Sequence, residues 1–231
     1  MTVRHNAFGQ PVGDAVDAWT GAPFPPGATL TGRLVTLRPL EPGDAGALWS
    51  AWEGTSEADW TYLPMERPTG VDGTRVVVDE MVGAPTLAYA VLVAGEPAGV
   101  LSLMRVDPAN GVLEVGAVVL GTPLRRTAGS TEAHRLLMGH VVEDLGYRRV
   151  EWKCDVLNAP SMAAAERLGY TFEGVFRNAV VTKGRNRDTA WWSVTGAEWP
   201  QVRARLDAWL DPANFGADGR QLRPLARRTG A

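Results

Sequence analysis

Between Val112 and Thr131 an apolar, β-branched run turns into a basic loop and then into a helix. The run is Val112-Leu113-Glu114-Val115-Gly116-Ala117-Val118-Val119-Leu120. The loop is Gly121-Thr122-Pro123-Leu124-Arg125-Arg126-Thr127-Ala128-Gly129-Ser130. This order suits a phosphorylated ligand. The first turn of a helix presents unpaired N–H groups and the positive end of its dipole. Small side chains let an anion reach those groups, and Arg125 and Arg126 add fixed positive charge. A second group of polar residues comes after the next strand: Asn158-Ala159-Pro160-Ser161, then a short Ala-rich helix ending at Leu168-Gly169-Tyr170. Asn158 is a good residue to cap the helix that Pro160 opens.

The loop lacks the G-x-x-x-x-G-K-[ST] of a P-loop and the G-x-G-x-x-G of a dinucleotide fold. It resembles the pyrophosphate loop of the GNAT superfamily of acyl-CoA-dependent N-acetyltransferases. That motif is Gln/Arg-x-x-Gly-x-Gly/Ala, and Arg125, Ala128 and Ser130 stand at its positions, with Ala and Ser where glycines are usual. The segment Asn158…Ser161…Gly169-Tyr170 is similar to the Asn-x-x-Ser…Gly-Phe segment of the branch that acetylates ribosomal-protein N-termini (Rim-type). The likeness extends over residues 30 to 195, including Trp60-Thr61-Tyr62-Leu63-Pro64 and Lys183-Gly184-Arg185-Asn186-Arg187-Asp188.

The resemblance implies acetyl-CoA as cofactor and a primary amine as acceptor, either a protein N-terminus or a small amine, attacked directly in a ternary complex. Such a reaction requires a held cofactor, a polarised carbonyl, a neutral amine and a protonated leaving thiolate. The cofactor set it implies is Ala117, Val118, Val119 and Leu120 along the central strand, Arg125, Arg126, Thr127, Ala128, Gly129, Ser130 and Thr131 in the loop, and Asn158. The family's strands splay apart beside residues 117–120, freeing N–H groups for the pantetheine and the thioester carbonyl.

Many members carry a tyrosine as general acid where this chain has Ala165; the Rim-type branch places a serine at Ser161, which is either that acid or a helix-capping residue. The base glutamate proposed for some Rim-type enzymes aligns with Val180, so that role does not carry over. Glu114 is the remaining carboxylate of interest. Among Val and Leu it is either exposed on the alternate face of the sheet or set in a cleft, where it could take a proton from an amine, with a polar edge of the cleft or a structural hydrogen-bond acceptor as the alternatives.

For the acceptor, the resemblance makes Trp60, Tyr62 and Trp191 candidate walls, with a lid over the core as the alternative for the loop of Trp60 and Tyr62. Asp188 is a candidate partner for a cationic amine, with a salt bridge to Arg185 or Arg187 as the alternative. Alternation lets only one of Trp191 and Trp192 face the cleft. His134 and His140 have no metal-ligand partner at suitable spacing, and no metal site is expected. Cys154 alternates with Trp152 and Val150 and reads as core. A second functional class stays open: an acyl-CoA-binding module of this fold with little or no turnover.

Periodicity supplies the elements that carry these residues. A strand is expected at Leu34–Leu40, helices at Pro42–Glu53 and Val71–Val82, and strands at 86–93, 98–106 and 112–120 joined by turns as an antiparallel meander. The central helix runs from Ser130–Thr131 to a cap at Gly146, and the strand at 148–156 returns parallel to the central one. Strands at 170–182 and 188–195 and a helix at Glu198–Leu210 complete an α/β domain, a mixed sheet flanked by helices in the manner of the GNAT fold. The segments are an extended arm at 1–31, anchored by Phe8, Trp19 and Phe24, a catalytic domain at 32–196, and a C-terminal helix and basic tail at 197–231 with Arg220, Arg223, Arg227 and Arg228.

Composition sets the limits. The chain has 231 residues, 45% hydrophobic and 21% charged, which suits one large domain. A net charge of −3 gives no global attraction to nucleic acid. No apolar stretch has the length of a membrane span, the first residues lack the apolar core of a secretory signal, and the single cysteine fits a reducing compartment. The expected setting is cytoplasmic, with neither nucleic acid nor membrane as partner and a homodimer allowed.

Overall fold

A computed structural model describes residues 3–16 and 18–225. The chain opens with a two-stranded ribbon, β1 (Arg4–His5) and β2 (Pro11–Val12), whose residues are exposed. Trp19 fastens the arm to the domain: its Nε1 donates to the Ala109 carbonyl (2.7 Å) and its ring lies under the Arg148 guanidinium. Of the three expected anchors only Trp19 acts as one. Phe8 sits in the ribbon's turn and is 86% exposed, and Phe24 is 59% exposed.

The domain proper begins with β3 (Leu30–Thr31) and β4 (Thr36–Pro39), then α1 (Ala45–Trp52), α2 (Gly70–Gly83), and the meander β5 (Leu87–Val93), β6 (Glu96–Asp107) and β7 (Val112–Leu120). Next come α3 (Ala128–Gly139), β8 (Arg149–Asp155), α4 (Ala159–Leu168), the hairpin β9 (Thr171–Thr182) and β10 (Arg185–Thr195), and α5 (Trp199–Leu210). Among the described residues eight strands form one sheet in the order β3-β4-β5-β6-β7-β8-β10-β9. Within it only β7 and β8 pair in parallel, as the crossover through α3 requires. This is the mixed α/β sheet the periodicities predict.

The two sheet faces bury different sets of residues. On one, Leu101, Leu103, Leu113, Val115, Val150, Trp152, Trp192 and Val194 form a core with Ala133, Leu137 and Val141 from the central helix and Val202 and Leu206 from α5. On the other, Ala88, Ala90, Val100 and Val119 meet Leu48, Trp52, Val77, Val78 and Met81 of α1 and α2. Fully burying one such side chain contributes about 1.5–3 kcal/mol. Strand alternation therefore sends Trp192 into the first core and leaves Trp191 for the other face. Cys154 is buried as expected.

The central helix starts at Ala128, earlier than its apolar period suggests, because the Thr127 side chain accepts from the Ser130 N–H and caps it there. It ends in a wide π-type turn over His140–Asp144, closed by Tyr147 N–H to the Val141 carbonyl (3.0 Å) around Gly146 at φ 72°. After α5, Asn214 is buried and bonds the Trp209 and Arg223 carbonyls and the Arg223 N–H, folding residues 211–225 back on the domain. The tail is thus ordered through Arg220 and Arg223; Arg227 and Arg228 lie outside the described residues. Among the described residues no helix is long and apolar enough to cross a membrane.

Candidate functional site

The site begins where a ladder stops. β7 and β8 pair at Val112–Arg149, Leu113–Val150 and Glu114–Glu151 and no further, although β7 continues to Leu120 and β8 to Asp155. A wedge therefore opens between the two strands. Ala117 lies on its β7 edge at φ 45°, where the register of β7 against β6 shifts by one residue. A left-handed conformation at a non-glycine residue costs about 1–3 kcal/mol and bends the strand away from its neighbour. Past the last rung, the groups of 115–120 that point toward β8 have no strand opposite them, and such backbone groups are strong hydrogen-bonding sites.

At the wide end of the wedge the loop is pinned to the domain. Gly121 N–H donates to the Ala98 carbonyl (2.9 Å) and Thr122 N–H to the Ala51 carbonyl (3.0 Å), while Leu124 is fully buried beneath. Glycine is required at 121: a Cβ there would stand 2.6 Å from the Ala98 oxygen and 2.7 Å from Ala51. The loop then opens α3, with Arg126 exposed at φ 59° and Ala128 half-buried. Besides Thr127 and Ser130, which bond within the helix start, two side chains of the loop set are already engaged. Arg125 pairs with Asp59, which lies 66 residues upstream between α1 and α2. Thr131 is buried, and its hydroxyl accepts from Arg167 (2.8 Å).

On the α3–α4 side of the wedge Asn158 caps α4, its Oδ1 accepting the Ser161 N–H at 3.1 Å, which leaves its Nδ2 donors for another partner. The Ser161 hydroxyl accepts from Trp152 Nε1 at 3.0 Å and retains its own proton to donate. Burial pushes the neighbouring Cys154 thiol up, against a smaller opposing pull from Ser161, so it stays protonated and unreactive. His134 is buried against Trp152 and bonds the Ser130 carbonyl through Nδ1 (2.7 Å). A carbonyl only accepts, so Nδ1 carries the proton, and burial holds the ring neutral with a pKa of about 4.

The opposite face of the wedge carries charges. Glu114 is 4% exposed and is paired with Arg105 and with Lys153 (3.1 Å). Lys153 also pairs with Glu151 (2.8 Å), and its ammonium lies 3.9 Å from the Trp191 ring centroid. Arg149 continues the row, bonding Glu151 (2.8 Å) and Glu173 (2.7 Å), and Ser193 donates to Glu173. Glu114 is therefore neither exposed nor alone in a cleft. A lone buried carboxylate would cost several kcal/mol, and alternating cations remove that penalty. Trp191 stacks on Phe176 at 4.5 Å, forming an aromatic ledge above the row.

Two acceptor candidates are placed otherwise than expected. Trp60 is 2% exposed, packed edge-on against Trp52 and donating to Thr55, so its ring belongs to the core and not to a cleft wall. An indole that can satisfy its N–H inside gains more by burial than on a surface. Asp188 accepts the Asn178 N–H (2.7 Å) and the Asn186 side chain (3.0 Å), which together hold its carboxyl below the usual range. It makes no ion pair with Arg185 or Arg187 among the described residues. It fastens the hairpin where Asn178 adopts φ 51°. Tyr62 is half-buried on the α1–α2 connection.

Asp59, Lys153 and Lys183 are charged residues paired beside these candidates that sequence reasoning passed over. Lys183, in the β9–β10 turn, reaches across to the Trp60 carbonyl (3.0 Å) and Glu66 (3.0 Å) and ties the hairpin to the α1–α2 connection. Only Lys153 left a signal: in Val150-Glu151-Trp152-Lys153-Cys154-Asp155 the charged residues alternate with the apolar ones.

Residues 34–171 match the family model described as an acetyltransferase (GNAT) domain. Among solved structures, a GCN5-related N-acetyltransferase from Brucella melitensis is 40% identical, with a TM-score of 0.87 over 91% of this chain and 97% of its own. A structure from Chromobacterium violaceum assigned to the GNAT family is 36% identical, with a TM-score of 0.76 over 83% of this chain and 98% of its own. YdaF of Bacillus subtilis, which carries the name of a ribosomal N-acetyltransferase, is 27% identical over 71% of this chain and 93% of its own.

Proposed function

The chain belongs to the GNAT acetyltransferase family and is an acyltransferase of that class, and we propose that it moves an acetyl group from acetyl-CoA to a primary amine in a ternary complex. The observation that carries this reading is the wedge between β7 and β8, with a loop and helix N-terminus at its wide end. The residues present fit such a cofactor. An unpaired strand edge at 117–120 suits the amides of a pantetheine arm, and the Asn158 Nδ2 group adds a donor. The start of α3, with Arg125 and Arg126 beside it, suits a diphosphate. Acetyl-CoA supplies an activated acyl group on a thiol leaving group.

The chain's own residues then divide the work. N–H groups on the β7 edge polarise the thioester carbonyl. Ser161, its oxygen held by Trp152 Nε1, gives a proton to the departing sulfur. Glu114 takes the proton of the attacking amine, while Arg105 and Lys153 fix its position. Tyr62 and Trp191 line the acceptor side, and Asp188 holds the hairpin that carries Trp191. The name of YdaF favours a protein N-terminus over a small metabolite as acceptor. A cytoplasmic setting agrees with the single buried Cys154.

The test is calorimetric binding of CoA and acetyl-CoA to the wild-type protein and to the Arg125→Ala, Arg126→Ala variant, followed by a free-thiol assay over N-terminal peptides and small amines. Weaker binding by the variant and turnover with one acceptor class support the reading. No binding by the wild-type protein sinks it. The second reading, a cofactor-binding module without turnover, draws on Ala165, a fully buried residue where many family members carry a tyrosine, and on a Glu114 already held by two cations. Tight binding with no turnover across the panel would select it.

A further inference from the structure

Arg125 is the first arginine of the anion loop, yet its guanidinium is turned to Asp59, on the short helical turn Glu57–Trp60 that leads into the acceptor candidate Tyr62. Asp59 is fixed from its other side: it accepts the Ser56 N–H (2.8 Å) and hydroxyl (3.0 Å). The next residue, Trp60, is buried, and its carbonyl receives the Lys183 ammonium from the β9–β10 turn. Arg67 ties the same segment down through the Thr55 (2.9 Å) and Glu53 (2.8 Å) carbonyls. One guanidinium therefore joins the cofactor loop to the α1–α2 connection that carries Tyr62.

We infer that Asp59 is an internal competitor for the cofactor's diphosphate, and that the exchange of Arg125 from Asp59 to the diphosphate loosens the turn at residues 56–63 and so couples cofactor occupancy to the acceptor wall. The inference rests on the cofactor assignment proposed above. Arg125 reaches Asp59 through Nη2, and a donor turned to the carboxylate is lost to a phosphate oxygen, so the carboxylate must yield this contact for that donor to serve the diphosphate. The Arg125 contact, with the Ser56 N–H second, holds the Asp59 carboxyl well below the usual range, so the competitor stays charged at any working pH. Both partners are partly solvated, with 39% and 29% of their side-chain surfaces exposed, so the exchange is between comparable contacts and not the rupture of a buried pair.

A four-variant cycle tests this by calorimetry with CoA as the probe: wild type, Asp59→Asn, Arg125→Gln and the double variant. Asn keeps an acceptor for Ser56 and removes the charge. Asp59→Asn should tighten CoA binding about fivefold, the scale of a partly exposed ion pair. On the Arg125→Gln background the same change should have no effect. Unchanged or weaker binding by Asp59→Asn, or equal tightening on both backgrounds, overturns the inference. Ser56→Ala, which loosens the turn without touching Arg125, should leave the affinity unchanged; tightening there would also overturn it. In amide exchange, CoA should speed residues 56–63 in the wild type, and Asp59→Asn should be fast already without CoA. Slower or unaltered exchange in the wild type refutes the coupling. If the wild type binds no CoA, the cofactor assignment falls and this inference falls with it; binding with a flat Asp59→Asn response refutes this inference alone.

Discussion

The two sides of the β7–β8 wedge are built on different length scales. On the α3–α4 side most polar groups are satisfied by near neighbours, Thr127 with Ser130, Ser130 with His134 and Asn158 with Ser161, and the Thr131–Arg167 bond is the long-range exception. On the acceptor side Glu114 pairs with Lys153, Arg149 with Glu173, Arg125 with Asp59, and Lys183 with a carbonyl 123 residues away. Local caps form wherever a helix starts. A row of buried charges exists only once the sheet has brought four strands together. The first kind of site tolerates change piecemeal, whereas the second should fail as a unit.

Lys153→Met puts this contrast under the greatest load. It leaves Glu114 and Glu151 buried with one cation each, and should cost about 3 kcal/mol in urea unfolding, with the Glu114→Gln, Lys153→Met pair recovering part of the loss. If Lys153→Met costs less than about 1 kcal/mol, the row behaves as a surface feature and the contrast fails.

His134 gives an effect of similar size but tied to pH. Its folded pKa, about 4, lies below the ordinary 6.5, so the unfolded chain binds the proton first as pH falls. Stability is then fully present above about pH 6.5 and declines toward pH 4, by about 3 kcal/mol for 2.5 pH units of difference. Denaturant titrations at about pH 7 and about pH 4.5 should show a smaller difference for His134→Gln than for the wild type. An equal difference would mean the ring titrates normally.

Asn158→Ala removes a cap and should cost about 1 kcal/mol. If the spare amide of Asn158 serves the cofactor, CoA affinity falls as well, which separates cap from ligand in one variant. The smallest effect belongs to Val180, exposed on the edge strand β9: Val180→Glu should shift stability by less than about 0.5 kcal/mol. A larger loss would show that the exposed β9 edge is covered by a second copy, and sedimentation would then report a dimer.

Much of the fold was legible from residue order. The strand expected at 112–120 is observed with those bounds, and the helices at 71–82 and 198–210 are met within a residue at each end. Alternation alone assigned Cys154 to the core and split Trp191 from Trp192. The candidate site was legible where it is local: the loop, its helix and the Asn158 cap lie within a few residues of their partners. It was not legible for Trp60, since an aromatic loop reads the same whether its indole faces a cleft or finds Thr55 inside.

Residue order thus carries everything governed by period and by caps: which residues become strands, which faces turn inward, where helices start. It does not carry the parting of β8 from β7 after Glu114, the grip of two cations on Glu114, or the turn of Arg125 toward Asp59; those belong to the packed molecule. The physical reason is range. Backbone conformation and capping depend on neighbours a few residues away, whereas a buried charge finds its partner only after strands distant in sequence have packed side by side.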